Sequence, residues 1–222
     1  MRRALSGALF HEPGRIAPMI PYWRLSGYYF FYFAFIGAFS PYFGLYLQSI
    51  GSSAAQIALL MSLMSVMRML APTLWGWLAD RLGVRTPIVR LSAFLSVIGF
   101  AGFLVTDAYI GLFLSMAFLS FFWSAALPLV ETLTFAHLSG QASRYGNIRV
   151  WGSVGFVIAV LALGYLLDGL PVRALLWITL ALLGGIFVCA MLIPEAGRPV
   201  APQRPVALAE ILRRPEVGGL LA

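Results

Sequence analysis

Gly76-Trp77-Leu78-Ala79-Asp80-Arg81-Leu82-Gly83-Val84-Arg85 stands between two long apolar stretches, and its reading decides the fold. Glycine accepts backbone angles that other residues resist, so Gly76 and Gly83 permit a tight turn. An acid and two arginines at a membrane surface can form an ion network that holds helix ends together in one state and releases them in another. The run therefore reads as a conformational-switch loop between two membrane-crossing helices, carried by Gly76, Asp80, Arg81, Gly83 and Arg85.

Composition agrees with that setting. The 222 residues are 61% hydrophobic and only 10% charged, with a mean hydropathy of +0.90. That is more apolar surface than a water-soluble core of this length can absorb. Apolar runs long enough to cross about 30 Å of hydrocarbon as helices recur along the chain. The strict alternation of a membrane barrel is absent, so the predicted fold is all-α, with spans at 22–47, 57–78, 87–105, 109–138, 149–167 and 174–193. Residues 1–21 read as a tail before this bundle of 22–193, and the weak apolar run after Arg2 and Arg3 is broken at His11-Glu12-Pro13, too short for a secretory signal. Residues 194–206, rich in proline and arginine, read as a linker. Residues 207–222 read as the start of a truncated seventh helix.

All fifteen basic residues are arginine, and their placement predicts orientation. They gather before span 1, after span 2, after span 4 and after span 6, whereas the loops 48–56, 106–108 and 168–173 hold only Arg173. By the positive-inside bias the rich loops are cytoplasmic, and so is the N-terminus. The net charge of +7 follows from this topology and from contact with anionic lipid, and no nucleic-acid partner is needed to explain it.

Three prolines, Pro41, Pro72 and Pro128, fall inside spans, where each removes a backbone hydrogen bond and predicts a kink. Gly37-Ala38-Phe39-Ser40-Pro41 and Ser124-Ala125-Ala126-Leu127-Pro128 share a small-Ala-x-x-Pro pattern three spans apart. This predicts a 3+3 inverted repeat with spans 1 and 4 as equivalent kinked helices. Small residues at helical spacing, such as Gly99 with Gly102 and Gly152 with Gly155, read as ordinary membrane packing. Cys189, the single cysteine, reads the same way.

Charges inside the spans carry the functional signal. Each costs roughly 2.5–3.5 kcal/mol near the bilayer centre on translocon scales, so it persists where something answers it. Glu131 and Arg149 lie eighteen positions apart at the facing ends of spans 4 and 5. They read either as a solute-binding pair or as a structural ion pair joining the two helices. Ser153 and Phe156 follow Arg149 by four and seven positions and share its helix face. An aromatic ring beside a guanidinium can stack on the flat part of a sugar, nucleoside or aromatic acid. Arg68, in the middle of span 2, can bind an anion, pair with an acid elsewhere in the protein or snorkel to the interface. Phe33, one turn before Gly37, is a further cavity candidate, Trp151 points away from Arg149 and reads as packing, and His137 reads as a helix-end residue. Zinc spacings, phosphate loops and nucleophilic triads are absent, which predicts no metal, no cofactor and no enzyme.

The G-x-x-x-D-R-x-G-x-R spacing of 76–85 resembles the signature of the major facilitator superfamily, transporters built of two six-helix halves. Val84 departs from it, standing where the family often has a basic residue. Together with Gly37-Ala38, Pro41, Glu131, Arg149 and the segment Leu208-Ala209-Glu210-Ile211-Leu212-Arg213-Arg214-Pro215, the chain from Trp23 onward resembles the lactose permease and 3-phenylpropionate permease group. Hydropathy alone puts Glu131 and Arg149 in the cytoplasmic third; their position in the solute cavity is what the resemblance implies. It also implies the N-terminal half of a bacterial inner-membrane permease, with a six-helix C-terminal half as partner, a small organic solute (an aromatic carboxylate, sugar or nucleoside, with Arg149-Val150-Trp151-Gly152-Ser153 tilting toward an organic acid) and the proton as coupling ion. A drug/proton antiporter fits less well, because that group usually has a Gly-Pro pattern in helix 5 and 152–164 contains no proline. A non-transporting membrane sensor of the same fold is the remaining alternative.

Overall fold

The structure, a computed structural model, describes residues 20–138 and 141–195. Apart from 20–21 and 194–195, the expected tail, linker and start of a seventh helix lie outside the described residues. Six helices span the rest: α1 (Tyr22–Ser49), α2 (Ala54–Leu82), α3 (Thr86–Val105), α4 (Tyr109–Leu138), α5 (Tyr145–Gly169) and α6 (Ala174–Leu192), with a 3-10 turn at Ala142–Arg144 before α5. All six are long and apolar enough to cross a membrane. The described chain is a multi-pass, all-helical membrane bundle.

Two helices differ most from expectation, α2 at both ends and α5 at its start. α2 runs longer at both ends than 57–78. At its start Ser53 and Gln56 form a reciprocal capping box, the serine oxygen accepting from Gln56 N–H and the glutamine oxygen from Ser53 N–H at 2.8 Å. At its far end the helix continues to Leu82, so Gly76, Asp80 and Arg81 are helical and the expected loop shrinks to Gly83-Val84-Arg85. Gly83 stops it in the left-handed region, φ 66°, donating to Ala79 O at 2.9 Å. α5 starts at Tyr145, four residues before the expected 149, which moves Arg149 one turn inside the helix. Pro87 stands in the first turn of α3, where its missing N–H removes no helix bond. α1, α2 and α4 pass through Pro41, Pro72 and Pro128 without interruption.

The packing obeys one exchange rule. α1 packs on α5 and α4 on α2; α6 packs on α1 and α3 on α4; α3 and α6 pack on each other. Swapping each helix with the one three places along reproduces this set. Consecutive spans alternate direction, so the swap also reverses each helix: it is the inverted 3+3 repeat. Burial follows the same pairs, for α1 and α4 are well covered while α2 and α5 are the two least covered helices.

Lipid is as apolar as leucine, so helices in a bilayer associate through close packing and not by escaping solvent. α1 and α5 meet along glycines. A Cβ on Gly37 would stand 2.7 Å from Phe156 O, and one on Gly155 would overlap the Phe30 carbonyl. Elsewhere rings fill the core: Phe35, Phe39 and Phe43 stack along α1, the last two with centroids 4.4 Å apart, against Phe100 and Phe103 of α3. Cys189 packs on Gly27, where an added Cβ would stand 3.2 Å from its Sγ, tighter than ordinary van der Waals contact. Gly155→Val is expected to push α1 from α5 and to cost about 1–3 kcal/mol, read as a lowered Tm of the purified protein. Gly184→Val, where a Cβ meets nothing within 4 Å, is the control that leaves Tm in place.

Candidate functional site

Arg149 lies over the face of Phe33 from α1, its guanidinium carbon 3.9 Å from the ring centroid, and within 5.6 Å of Tyr29. Contact this close is possible because residue 152 is glycine. A Cβ there would stand 2.7 Å from Phe33 Cδ2 and 2.8 Å from an Arg149 nitrogen. Glu131 accepts a hydrogen bond from the Tyr145 hydroxyl at 3.3 Å. Tyr145 in turn stacks on Phe135 at 4.6 Å and meets Tyr29 edge-on, while the Tyr29 hydroxyl shares a 3.3 Å hydrogen bond with Thr134.

The structural ion-pair reading of Glu131 and Arg149 does not hold. Among the described residues the ion pairs are Arg85–Asp80 and Arg173–Asp107, and no Glu131–Arg149 contact within 4.0 Å joins them. Each charge is instead held by aromatic residues, which leaves one acid and one guanidinium in a single cluster without a direct ion pair. Ser153 and Phe156 share the Arg149 side of α5 and are exposed, Phe156 by 38%. The ring that meets the guanidinium is Phe33, not Phe156. Trp151 donates from Nε1 to the Tyr22 hydroxyl at 3.1 Å and is a packing residue as expected. His137 is buried, with Nδ1 2.8 Å from Leu133 O, inside the last turn of α4.

Arg68 is the central residue of α2 and lies over Trp123, the central region of α4, at 5.2 Å. Trp123 stacks almost flat on Tyr32, centroids 4.6 Å apart and planes 5° apart, and Tyr32 meets Phe33 edge-on at 5.3 Å. A continuous aromatic wall thus runs from Arg68 through Trp123, Tyr32 and Phe33 to Arg149. The exchange of repeats turns the α2-on-α4 contact of Arg68 into the α5-on-α1 contact of Arg149. Tyr32, Trp123 and Tyr145 escaped the sequence reading because the chain carries 32 aromatic residues by count of 6 Trp, 9 Tyr and 17 Phe, and spacing does not say which of them meet.

At the end of the bundle holding the N-termini of α1, α3 and α5, the switch residues separate. Arg85 pairs with Asp80 at 3.1 Å, whereas Arg81 lies over Trp77 at 5.3 Å. Glu195, which the sequence reading did not single out, accepts from the backbone N–H groups of Arg85 and Thr86 at 3.4 and 3.1 Å. Its carboxylate answers the unpaired donors and positive dipole end of α3. Arg90 donates to Ala190 O, Met191 O and Ile193 O, and Arg24 to Leu192 O, so the C-terminal end of α6 is tied to α3 and α1. An acid directly after an apolar span among arginine-rich loops was the signal available for Glu195. At the opposite end Asp107 binds Arg173 at 3.0 Å and accepts from the Tyr46 hydroxyl at 3.2 Å. Among the described residues no three His, Cys, Asp or Glu side chains converge as a metal site would require.

Six spans in an inverted repeat, with charges held inside the bundle and an ion network at one end of it, define a half of the major facilitator fold. Residues 22–222 match the MFS_1 like family, and the chain belongs to it. It is 35% identical over 198 residues to the maltose permease of Geobacillus stearothermophilus, covering 88% of this chain and 48% of that protein. It is 30% identical over 185 residues to an Escherichia coli (strain K12) protein described as a probable 3-phenylpropionic acid transporter, covering 82% and 46%. Among solved structures, the nucleoside transporter NupG superposes with a TM-score of 0.73 at 21% identity over 89% of this chain and 50% of that one. The chain spans about half the length of the curated relatives it matches.

Glu195→Ala removes two acceptor contacts from the start of α3 and is expected to cost about 1 kcal/mol, as loss of a helix cap does, seen as a lowered Tm. Thr86→Ser keeps the backbone N–H that Glu195 uses and is expected to leave Tm nearly unchanged.

Proposed function

We propose that the chain forms one six-helix half of a secondary transporter that moves a small hydroxylated organic solute, a glycoside in the first instance, by alternating access across a bacterial inner membrane. The observation that carries this is the Glu131–Arg149 cluster, where a carboxylate and a guanidinium stand inside a membrane bundle without pairing to each other. Sugar hydroxyls both donate and accept. Glu131 accepts from one, Arg149 donates to another, and Ser153 serves either need. Phe156, exposed on the same side of α5, offers a face to the apolar side of a pyranose ring. Phe33 backs the guanidinium and keeps its outer edge free.

Two kinds of similarity support transport: relatives named as a maltose permease and a 3-phenylpropionic acid transporter, and the fold shared with NupG. The second half of the carrier completes the cavity in this reading, and the two halves rock about it. The arginine-rich end faces the cytoplasm, consistent with Arg24, Arg81, Arg85, Arg90 and Arg144 lying there and Arg173 alone, among the described residues, at the other end. The proton is the coupling ion, and its binding and that of the solute favour the same rearrangement.

Uptake of radiolabelled glycosides by membrane vesicles carrying the complete protein tests this. Glu131→Gln and Arg149→Lys are each expected to lower uptake at least tenfold, about 1.4 kcal/mol of lost solute recognition, and an uncoupler is expected to abolish accumulation. Accumulation that survives both substitutions rejects the site. Accumulation that survives the uncoupler rejects proton coupling.

A further inference from the structure

The second arginine sits where a lone charge is least tolerated. Arg68 is the fifteenth of the 29 residues of α2, half a helix from water at either end, beyond easy reach of snorkelling. No carboxylate lies within 4.0 Å of it among the described residues. The side chain is exposed on this face of the bundle, and its stacking on Trp123 supplies no counter-ion. Beside the guanidinium is a cavity of about 90 Å³ between α1, α2 and α4, lined among others by Phe39, Ser40, Met64 and Ser65. The Trp123 indole N–H is buried and has no acceptor.

We propose that Arg68, with Trp123 as its backing ring, forms an anion subsite for one carboxylate-sized group. The groove opens beside the guanidinium and admits a carboxylate or a halide. Chemistry sets the sign: Glu131 accompanies Arg149 and would repel a carboxylate there, while no acid accompanies Arg68. The aromatic wall through Tyr32 and Phe33 joins the two arginines, so a flat solute can hold its hydroxyls at one end and its charge at the other. In the solute-borne form this deepens the transport reading and rests on it, naming an acidic glycoside as the substrate class. The anion can equally arrive free.

The test is binding, and so is independent of transport. Iodide quenches indole emission on contact, and the Trp123 contribution is the difference between the purified complete protein and its Trp123→Phe variant. Saturable iodide quenching of that component is expected, displaced by acetate, retained in Arg68→Lys and shifted at least tenfold to higher iodide in Arg68→Gln, with quenching by neutral acrylamide unchanged. Ser65→Asp, which brings a carboxylate into the cavity one turn from Arg68, is expected to abolish saturation even if Arg68→Gln does not fold. Phenyl glucuronide displacing iodide at concentrations at least tenfold below those of acetate and phenyl glucoside assigns the anion to the solute; acetate displacing as well as the glucuronide assigns it to a free ion. Quenching that is linear in iodide, or identical in wild type and Ser65→Asp, overturns the subsite. Failed uptake with intact iodide saturation overturns the transport reading alone.

Discussion

The close approach of α1 to α5 is the contact on which the rest of the structure depends. Gly37 faces the backbone of α5 and Gly155 faces the backbone of α1, so the two helices touch where any Cβ would part them. Phe33 is thereby pressed onto the third glycine, Gly152, and the guanidinium one turn earlier settles on its ring. A charge inside hydrocarbon needs an answer, and here the answer is a π-face made available by three missing methyl groups.

The repeat copy of this contact is built differently. α4 meets α2 through rings, with Trp75 against Phe121 and Phe122 and Arg68 against Trp123, and a Cβ added at Gly76 of α2 would meet nothing within 4 Å. Topology is therefore conserved between the repeats while chemistry is not. One copy holds its arginine in a glycine-lined slot together with an acid, the other beside a small cavity without one. An inverted repeat relates two equivalent arrangements, and unequal side chains make the two unequal in energy. That inequality is what a ligand can act upon, since it shifts an equilibrium only through its differential affinity for the two states.

The fold was legible in the sequence because its cause is one-dimensional. Hydrocarbon thickness sets helix length, and apolar runs of that length appear at six places whatever their neighbours do. The repeat was legible from Pro41 and Pro128 with the small residues before each. The helical stretch from Ala79 to Leu82 was misread as loop, since charged residues past the hydrocarbon look like a loop to hydropathy although Asp80 and Arg81 suit a helix until Gly83 ends it. Glu131 and Arg149 were legible as rare charges, but their relation was not. Whether two ions pair depends on the azimuth of two helices, which Gly152, Gly155 and Gly37 set from the far side of the interface. Phe33 could be named a candidate, yet nothing in its spacing said that it, and not Phe156, would meet the guanidinium.

The ends of the bundle show how so apolar an object keeps its helices in register. One end ties α6 to α3 and α1 by donors from Arg90 and Arg24 to open carbonyls, and ties the α2–α3 turn to the end of α6 through Glu195. The other end relies on Asp107 with Arg173 and Tyr46. Both sets lie at helix termini, where unsatisfied backbone groups are concentrated and water competes for them. Such bonds are individually weak, because water competes for each partner. The buried ring stacks of α1, α3 and α4 lie away from that competition and hold the bundle together between its ends.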